Sequence, residues 1–422
     1  MSAATPVGQD YVSLGSYLVG AVHTSADLVA LRDEWNALLA RRARPSLFLS
    51  WDWMNTWWEV FQREDHRLWV LCARQPASGE LVGIAPLVMR PQSGPLATWR
   101  ALMILGRWES YHLDFIVRPG EEAPVADAFM RYLRQRSREW DLLELAYLDS
   151  SSPCLEGLLP HGPWYAGEED VYIYVEFDGS WDDYWMRQSS KHRNTLTRRE
   201  RHLRRDYPDR EIAYHVHRQL DQGQRVFEVL MELMRQRWAA EGDTPEQYFG
   251  RDFARFTRAS AELASRLGLL RLYSLWVGDH IVSAELILME EGSDTAHFYR
   301  TVMDYQWSQY SVGMLLFNYV LKDLMGLGVR RLELGDGITE QKLRYGTGQH
   351  SDVTLRTGAR REVQLWLQSM ETGRSVWRVV KKALPANARQ AIRRALGRDQ
   401  AGAGGQPSRR DALRQPAEEE VE

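Results

Sequence analysis

Two junctions in the stretch from Phe298 to Tyr345 collect residue types that could hold a ligand. At the first, Tyr310-Ser311-Val312-Gly313-Met314 stands between an alternating run, Thr295 to Met303, and an apolar run at helical spacing through Leu316, Val320, Leu324 and Leu327. Ser311 is a good helix N-cap, and Gly326 and Gly328 are good stops. A helix start that faces a strand end offers free backbone N–H groups and a positive partial charge, a site for pyrophosphate. At the second junction Val329 to Leu334 reads as a buried strand that ends in Gly335-Asp336-Gly337, with Lys342 and Tyr345 following. An ordinary strand–helix–strand packing unit without a ligand fits the same spacing. The run lacks the glycine density of a Walker loop or a dinucleotide fingerprint.

The run Tyr310-Ser311-Val312-Gly313-Met314-Leu315-Leu316 resembles the Ser-Pro-Gly-x-Leu-Leu helix start of GNAT-superfamily acyltransferases of the CelD/BcsL type, which are associated with cellulose and exopolysaccharide biosynthesis. Glu333-Leu334-Gly335-Asp336 followed by Gln341-Lys342 resembles their Asp-x-x-Gly-Asp…Tyr-Lys element. Val312 stands where that family has proline, and Gln341 where it has tyrosine. The resemblance extends to the Phe48-Leu49-Ser50-Trp51 helix start and to the basic segment near Lys191. It implies acetyl-CoA or another acyl-CoA as cosubstrate, held by Tyr310, Ser311, Val312, Gly313 and Met314, and no metal.

What must position these residues is legible in outline. At 422 residues the chain is long enough for two domains, and its hydrophobic and charged contents, 44% and 26%, are those of a globular protein. The net charge of −4 argues against general nucleic-acid binding. Cys72 and Cys154, the two cysteines, fit core positions in a reducing cytoplasm, and the 11 histidines show no metal-ligand spacing. The first residues show no signal peptide, and no apolar run is long enough to span a membrane. The expected location is cytoplasmic.

From Tyr17 the order of expected elements is β, α, α, β, β, β, α, β, and the same order recurs from Glu211. The reading is a mixed α/β fold of two tandem GNAT-like units, the plan also of FemX-type transferases. Residues 1–16 would be a flexible end, 17–180 the first unit, 181–206 a basic helical linker, and 207–360 the second unit. Residues 361–398 would be basic C-terminal helices and 399–422 a disordered tail. The first unit has Glu121 and Glu122 at its helix start, which would repel pyrophosphate, so the cofactor is expected on the second. The linker carries Lys191, Arg193 and Arg198 as candidate ligands of a phosphate on CoA or on the acceptor. A solvated charge run fits equally. The C-terminal helices could touch an anionic membrane surface or pack on the body with their basic face solvated.

GNAT-like transfer holds a thioester for attack by an amine, with a base, an oxyanion donor and an acid for the thiolate. Base candidates are Glu285, Asp304, Glu333 and Asp336, with Asp336 favoured because it ends a strand at the sheet's C-terminal edge. Lys342 matches the family lysine and would bind the acceptor or an oxyanion. Tyr345 is a candidate acid by position. The bland counterparts are a turn cap for Asp336 and a surface lysine for Lys342. The expected acceptor is a small molecule or envelope precursor, with no nucleic acid as partner. An aminoacyl-tRNA-dependent transferase of FemX type, or a non-catalytic scaffold of an exopolysaccharide system, remains the alternative.

Overall fold

A computed structural model of the chain describes residues 11–94, 97–167, 170–240 and 251–383. The flexible N-terminal end as far as residue 10, the continuation of the basic C-terminal helices beyond 383 and the 399–422 tail fall outside these residues. Contacts divide the chain into two compact units, one of residues 1–43, 48–170 and 351–422, the other of residues 44–47 and 171–350.

The first unit carries strands β1 (Val12–Leu14), β2 (Tyr17–Val22), β3 (Arg67–Leu68), β4 (Val70–Arg74), β5 (Leu81–Ala85), β6 (Leu87–Ser93), β7 (Thr98–Ile104), β8 (Ile116–Val117), β9 (Leu142–Asp149) and β10 (Tyr165–Ala166). Its helices are α1 (Ser25–Ala30), α2 (Arg32–Leu39), α3 (Trp51–Phe61), α4 (Glu122–Gln135) and α5 (Cys154–Leu158). One sheet runs β1-β2-β4-β5-β8, antiparallel throughout. In the other, β7 lies parallel to β9 and antiparallel to β6. Ser50 caps α3 by accepting from the Trp53 amide, and the tryptophans of that helix are buried: Trp53, Trp57 and Trp58 all face the core. The packing is tight where α5 crosses α4. A Cβ at Gly157 would run into the Ala123 carbonyl oxygen and stand 2.9 Å from Ala126 Cβ. Gly157→Ala is therefore expected to lower stability by about 1–3 kcal/mol in chemical denaturation. An unchanged midpoint would show that α5 can slide off α4 freely.

The second unit carries β11 (Asp170–Glu176), β12 (Ile212–His217), β13 (Leu270–Val277), β14 (His280–Met289), β15 (Thr295–Met303) and β16 (Arg331–Asp336). Its helices are α6 (Trp181–Arg187), α7 (Ser190–Asp206), α8 (Gln224–Ala240), α9 (Arg251–Arg266), α10 (Val312–Gly326) and α11 (Glu340–Tyr345). The sheet order is β12-β13-β14-β15-β16-β11, with β15 and β16 parallel and their neighbours antiparallel. The crossover between the parallel strands is α10, whose Val312, Leu316, Val320, Leu321 and Leu324 are fully buried on the sheet. The basic segment is two helices, broken at Gln188, and it belongs with this unit. Tyr184, Leu196 and Leu203 are buried in one cluster with Val320 and Leu332. The apolar stripe of α7, which its charges hide in the sequence, makes it part of the core rather than a free linker.

After β17 (Gly348–Gly358), which pairs with β9 from Asp352 onward, comes α12 (Arg361–Ala383). Trp366 on α12 packs edge-on against Trp99 of β7, with ring centroids 4.6 Å apart. No helix among the described residues is long and apolar enough to cross a membrane.

Candidate functional site

β15 and β16 are paired only at Thr295–Arg331, Ala296–Leu332 and His297–Glu333. Beyond these positions β15 continues to Met303 against β14, while β16 continues to Asp336 against β11. The two strands therefore part toward their C-terminal ends, which opens a wedge in the sheet where α/β folds bind ligands. The N-terminus of α10 returns above it.

That helix start differs from the serine cap read in the sequence. Ser311 has φ 54° and ψ 42°, left-handed, and its side chain makes no cap hydrogen bond. A tight 3₁₀ turn, Tyr305–Tyr310, precedes it, and the left-handed residue is what reverses the chain into α10. The first-turn amides of Val312 and Gly313 have no acceptor among the described residues, while those of Met314 and Leu315 reach the Ser311 carbonyl. Gly313 is not needed for the protein's own packing. A Cβ there would meet Met303 Sδ at 3.5 Å and Ser283 Oγ at 4.0 Å, ordinary contacts. The turn is held by α7: Arg199 donates to the Gln309 carbonyl at 2.6 Å, and Tyr310 donates to Asp206 at 3.1 Å.

Below this start lies a buried polar group of three helices. Asn318 of α10 donates through Nδ2 to the Tyr345 phenol oxygen at 2.7 Å, and the phenol lies 2.9 Å from His192 Nε2. The assignment that satisfies both partners has the phenol donating to His192, with the imidazole proton on Nδ1. Tyr345 is 1% exposed and His192 6% exposed. Burial pushes the phenol's pKa up and the imidazole's down, with Arg344 adding to the latter, so both groups are neutral near pH 7. The phenol of Tyr184, also buried, has no hydrogen-bond partner among the described residues. Glu285 completes the set. It stands on β14 opposite Tyr273 and Thr301, on the face that α10 covers, and acts electrostatically on Tyr345. Its carboxyl is 1% exposed, Oε2 has no hydrogen-bond partner, and burial alone raises its pKa well above the ordinary carboxylate range.

The other residues named from sequence are distributed as follows. Asp336 is buried at the end of β16, in register with Tyr172 of β11. Lys342 donates to the carbonyls of Gly335 at 3.2 Å and of Asp336 at 2.5 Å, and its helix is capped by Thr339. It thus ties α11 to the end of β16 and sets where Tyr345 falls. Arg193 donates to the Met186 and Gln188 carbonyls and so closes the corner between α6 and α7. Lys191 and Arg198 are exposed on the outer face of α7. A pocket of about 220 Å³ opens beside α10, lined by Trp181, Trp185, Glu200, Tyr214, Asn318 and Tyr319 among others. His192 and Asn318 were not singled out in the sequence. The available signal for His192 was its place on the same helical face as Leu196 and Leu203, inside an otherwise charged run.

Comparison with known proteins places these elements. An acetyltransferase (GNAT) domain matches residues 190–345, the span from the start of α7 to Tyr345. Among solved structures FemX is similar over 79% of this chain and 96% of its own, at 10% identity and a TM-score of 0.51. A conserved protein of unknown function from Bacteroides thetaiotaomicron VPI-5482 matches 80% of this chain and 99% of its own at 16% identity, with a TM-score of 0.48. A tandem GNAT protein from the clavulanic acid biosynthesis pathway matches 81% and 99% at 14% identity, with a TM-score of 0.45. No curated protein matches at the sequence level. The chain is a mixed α/β protein of GNAT fold, and its GNAT domain match is confined to the second unit.

Proposed function

We propose that the protein is an acyl-CoA-dependent acyltransferase that moves an acetyl or longer acyl group to an amine or hydroxyl acceptor. The observation that carries this reading is the Tyr345 phenol, fixed by Asn318 and His192 beneath the helix start at Val312 and Gly313. The two free amides and the helix dipole suit the pyrophosphate of acyl-CoA. The wedge between β15 and β16 suits its pantetheine arm, whose amides can pair with strand ends the sheet leaves open. Tyr345, a neutral phenol, can protonate the leaving thiolate, and the proton that the acceptor gives up on attack restores it, while His192 Nε2 accepts from the phenol and orients it. Glu285, whose carboxyl burial raises well above the ordinary carboxylate range and which acts on Tyr345, is the base candidate beside the phenol. Asp336 and Lys342 shape the turn that presents Tyr345, and their exposed neighbours border the acceptor's approach. The resemblance to CelD/BcsL-type proteins supports an acceptor in polysaccharide or cell-envelope synthesis.

Calorimetry with acetyl-CoA tests the reading directly. Gly313→Ala should fold and bind, since its Cβ has room, whereas Gly313→Glu should abolish binding by filling the cradle and opposing the pyrophosphate charge. Equal binding by Gly313→Glu would place the cofactor elsewhere. A second reading, transfer from an aminoacyl-tRNA, is favoured by the FemX-like fold and by the exposed Lys191, Arg198 and Arg201 on α7. It predicts salt-sensitive binding of aminoacyl-tRNA and none of acetyl-CoA.

A further inference from the structure

Two guanidinium groups of the first unit lie beside one tryptophan, and a third shares a buried carboxylate with one of them. Arg90 and Arg107 lie 4.8 Å and 4.9 Å from the centroid of the Trp108 ring. Glu144 is ion-paired with Arg107 through Oε1 and accepts from Arg356 Nε on Oε2 at 2.5 Å. Strand register explains the gathering. Arg356 of β17 and Met103 of β7 both stand opposite Glu144 of β9, and Arg90 of β6 stands opposite Ala101, two residues from Met103 on the same face. Met103–Glu144 is also the last pair between β7 and β9, so the cluster sits where those parallel strands part.

Positive charge outweighs negative charge in this group. Glu144 is 2% exposed, and the side chains of Arg107 and Arg356 keep only 17% and 20% of their accessible surface. Among the described residues Arg90 has no carboxylate in contact, and it donates instead to His66 Nε2 at 3.2 Å. Asp170 and Tyr147 act on Arg107 and Arg356 through space, and Asp65 acts on Arg90. Among the described residues Arg107 Nε is buried with no acceptor, and Arg356 engages Glu144 through Nε. Burial pushes the Arg107 pKa down to about 10 and lowers those of Arg90 and Arg356, as expected of cations short of counter-charge. The segment that brings Arg107 and Trp108 here is strained: Trp108 has φ 73° and His112 φ 51°, both left-handed without being glycine. Such conformations persist where the surroundings enforce them, most often at ligand sites.

We propose that Arg107 and Arg356, with Arg90 and the Trp108 ring beside them, form an anion-binding site in the first unit for a phosphate or carboxylate group. Guanidinium forks match such planar or tetrahedral oxyanions in a bidentate manner, and a bound anion would add to the charge that Glu144 supplies. The inference is independent of the acyl-transfer reading, because it concerns a unit to which no cofactor is assigned.

The test titrates the full chain at low ionic strength with inorganic phosphate and, separately, with acetate, followed by calorimetry. One or both should bind, and the tighter arm identifies the source. Arg107→Lys keeps the charge and should fold, yet it should weaken binding by about 10- to 100-fold through loss of the fork. Glu144→Gln removes the competing carboxylate and should tighten binding. Absence of binding by both anions, or binding that neither variant changes, would overturn the proposal. Acetyl-CoA affinity measured on the same variants should stay at the wild-type value, so a failure here is distinguishable from a failure at the second unit.

Discussion

Tyr345→Phe is expected to lower turnover by about 10²- to 10⁴-fold while leaving acetyl-CoA affinity nearly unchanged. The substitution removes one hydroxyl and little else. The ring keeps its edge contact with Phe317, 4.8 Å between centroids, and its burial in the core of the second unit. What disappears is the group to which Asn318 donates and which lies 2.9 Å from His192. Leaving these two partners unsatisfied should cost about 1–3 kcal/mol of stability, enough to detect by denaturation but short of unfolding. Thiol release from acetyl-CoA, once an acceptor is found, reads the catalytic loss, and calorimetry reads the binding. Because burial raises the phenol's pKa, Tyr345 stays protonated through the physiological range and well into the alkaline one. The wild-type rate should therefore show no alkaline fall from this group near pH 8 to 9. Normal turnover in Tyr345→Phe would mean that the buried triad is structural and that the thiolate takes its proton from water.

How much of this was legible in the sequence follows from which forces act locally. The alternation from Thr295 to Met303, the apolar spacing of α10 and the buried run into β16 are set by burial on one sheet, and each falls within a residue or two of its expected span. Tyr345 was legible by its place in a motif. The conformation of Ser311 was not: a serine before an apolar run reads as a cap, and only the turn Tyr305–Tyr310 forces it left-handed. In the sequence Arg193 reads as a ligand for a phosphate and Lys342 as one for the acceptor or an oxyanion, yet both donate to backbone carbonyls at helix corners, because a long cationic stem satisfies exposed helix ends as readily as a ligand. His192 was hidden by its neighbours' charges. The arginine cluster of the first unit was hidden for another reason: Arg90, Arg107 and Arg356 lie on three segments that only strand register brings together.

Glu285→Gln is expected to do two opposite things at once. Burial raises the folded-state pKa of Glu285 above its unfolded value, so the native chain holds a proton that the unfolded chain releases. Stability from this group is then fully present below the unfolded pKa of about 4.3 and falls as pH rises toward the folded value. Glutamine has nearly the same shape and no ionisation, so the variant escapes that fall. Its melting temperature should equal the wild type's near pH 4 and exceed it as the pH rises above the unfolded pKa. The catalytic expectation runs the other way. A base that faces Tyr345 under the helix start must give up and regain a proton, which an amide cannot do, and turnover should fall by about 10²-fold or more. Residues that cost stability where they stand and are kept by function show this combination. Melting curves across pH and a single turnover assay separate the outcomes. A pH-dependent rise in melting temperature without a loss of rate would leave Glu285 as a buried acid with no part in transfer. A loss of rate without the rise would mean that the carboxyl is ionised in the folded protein, against the direction that its burial dictates.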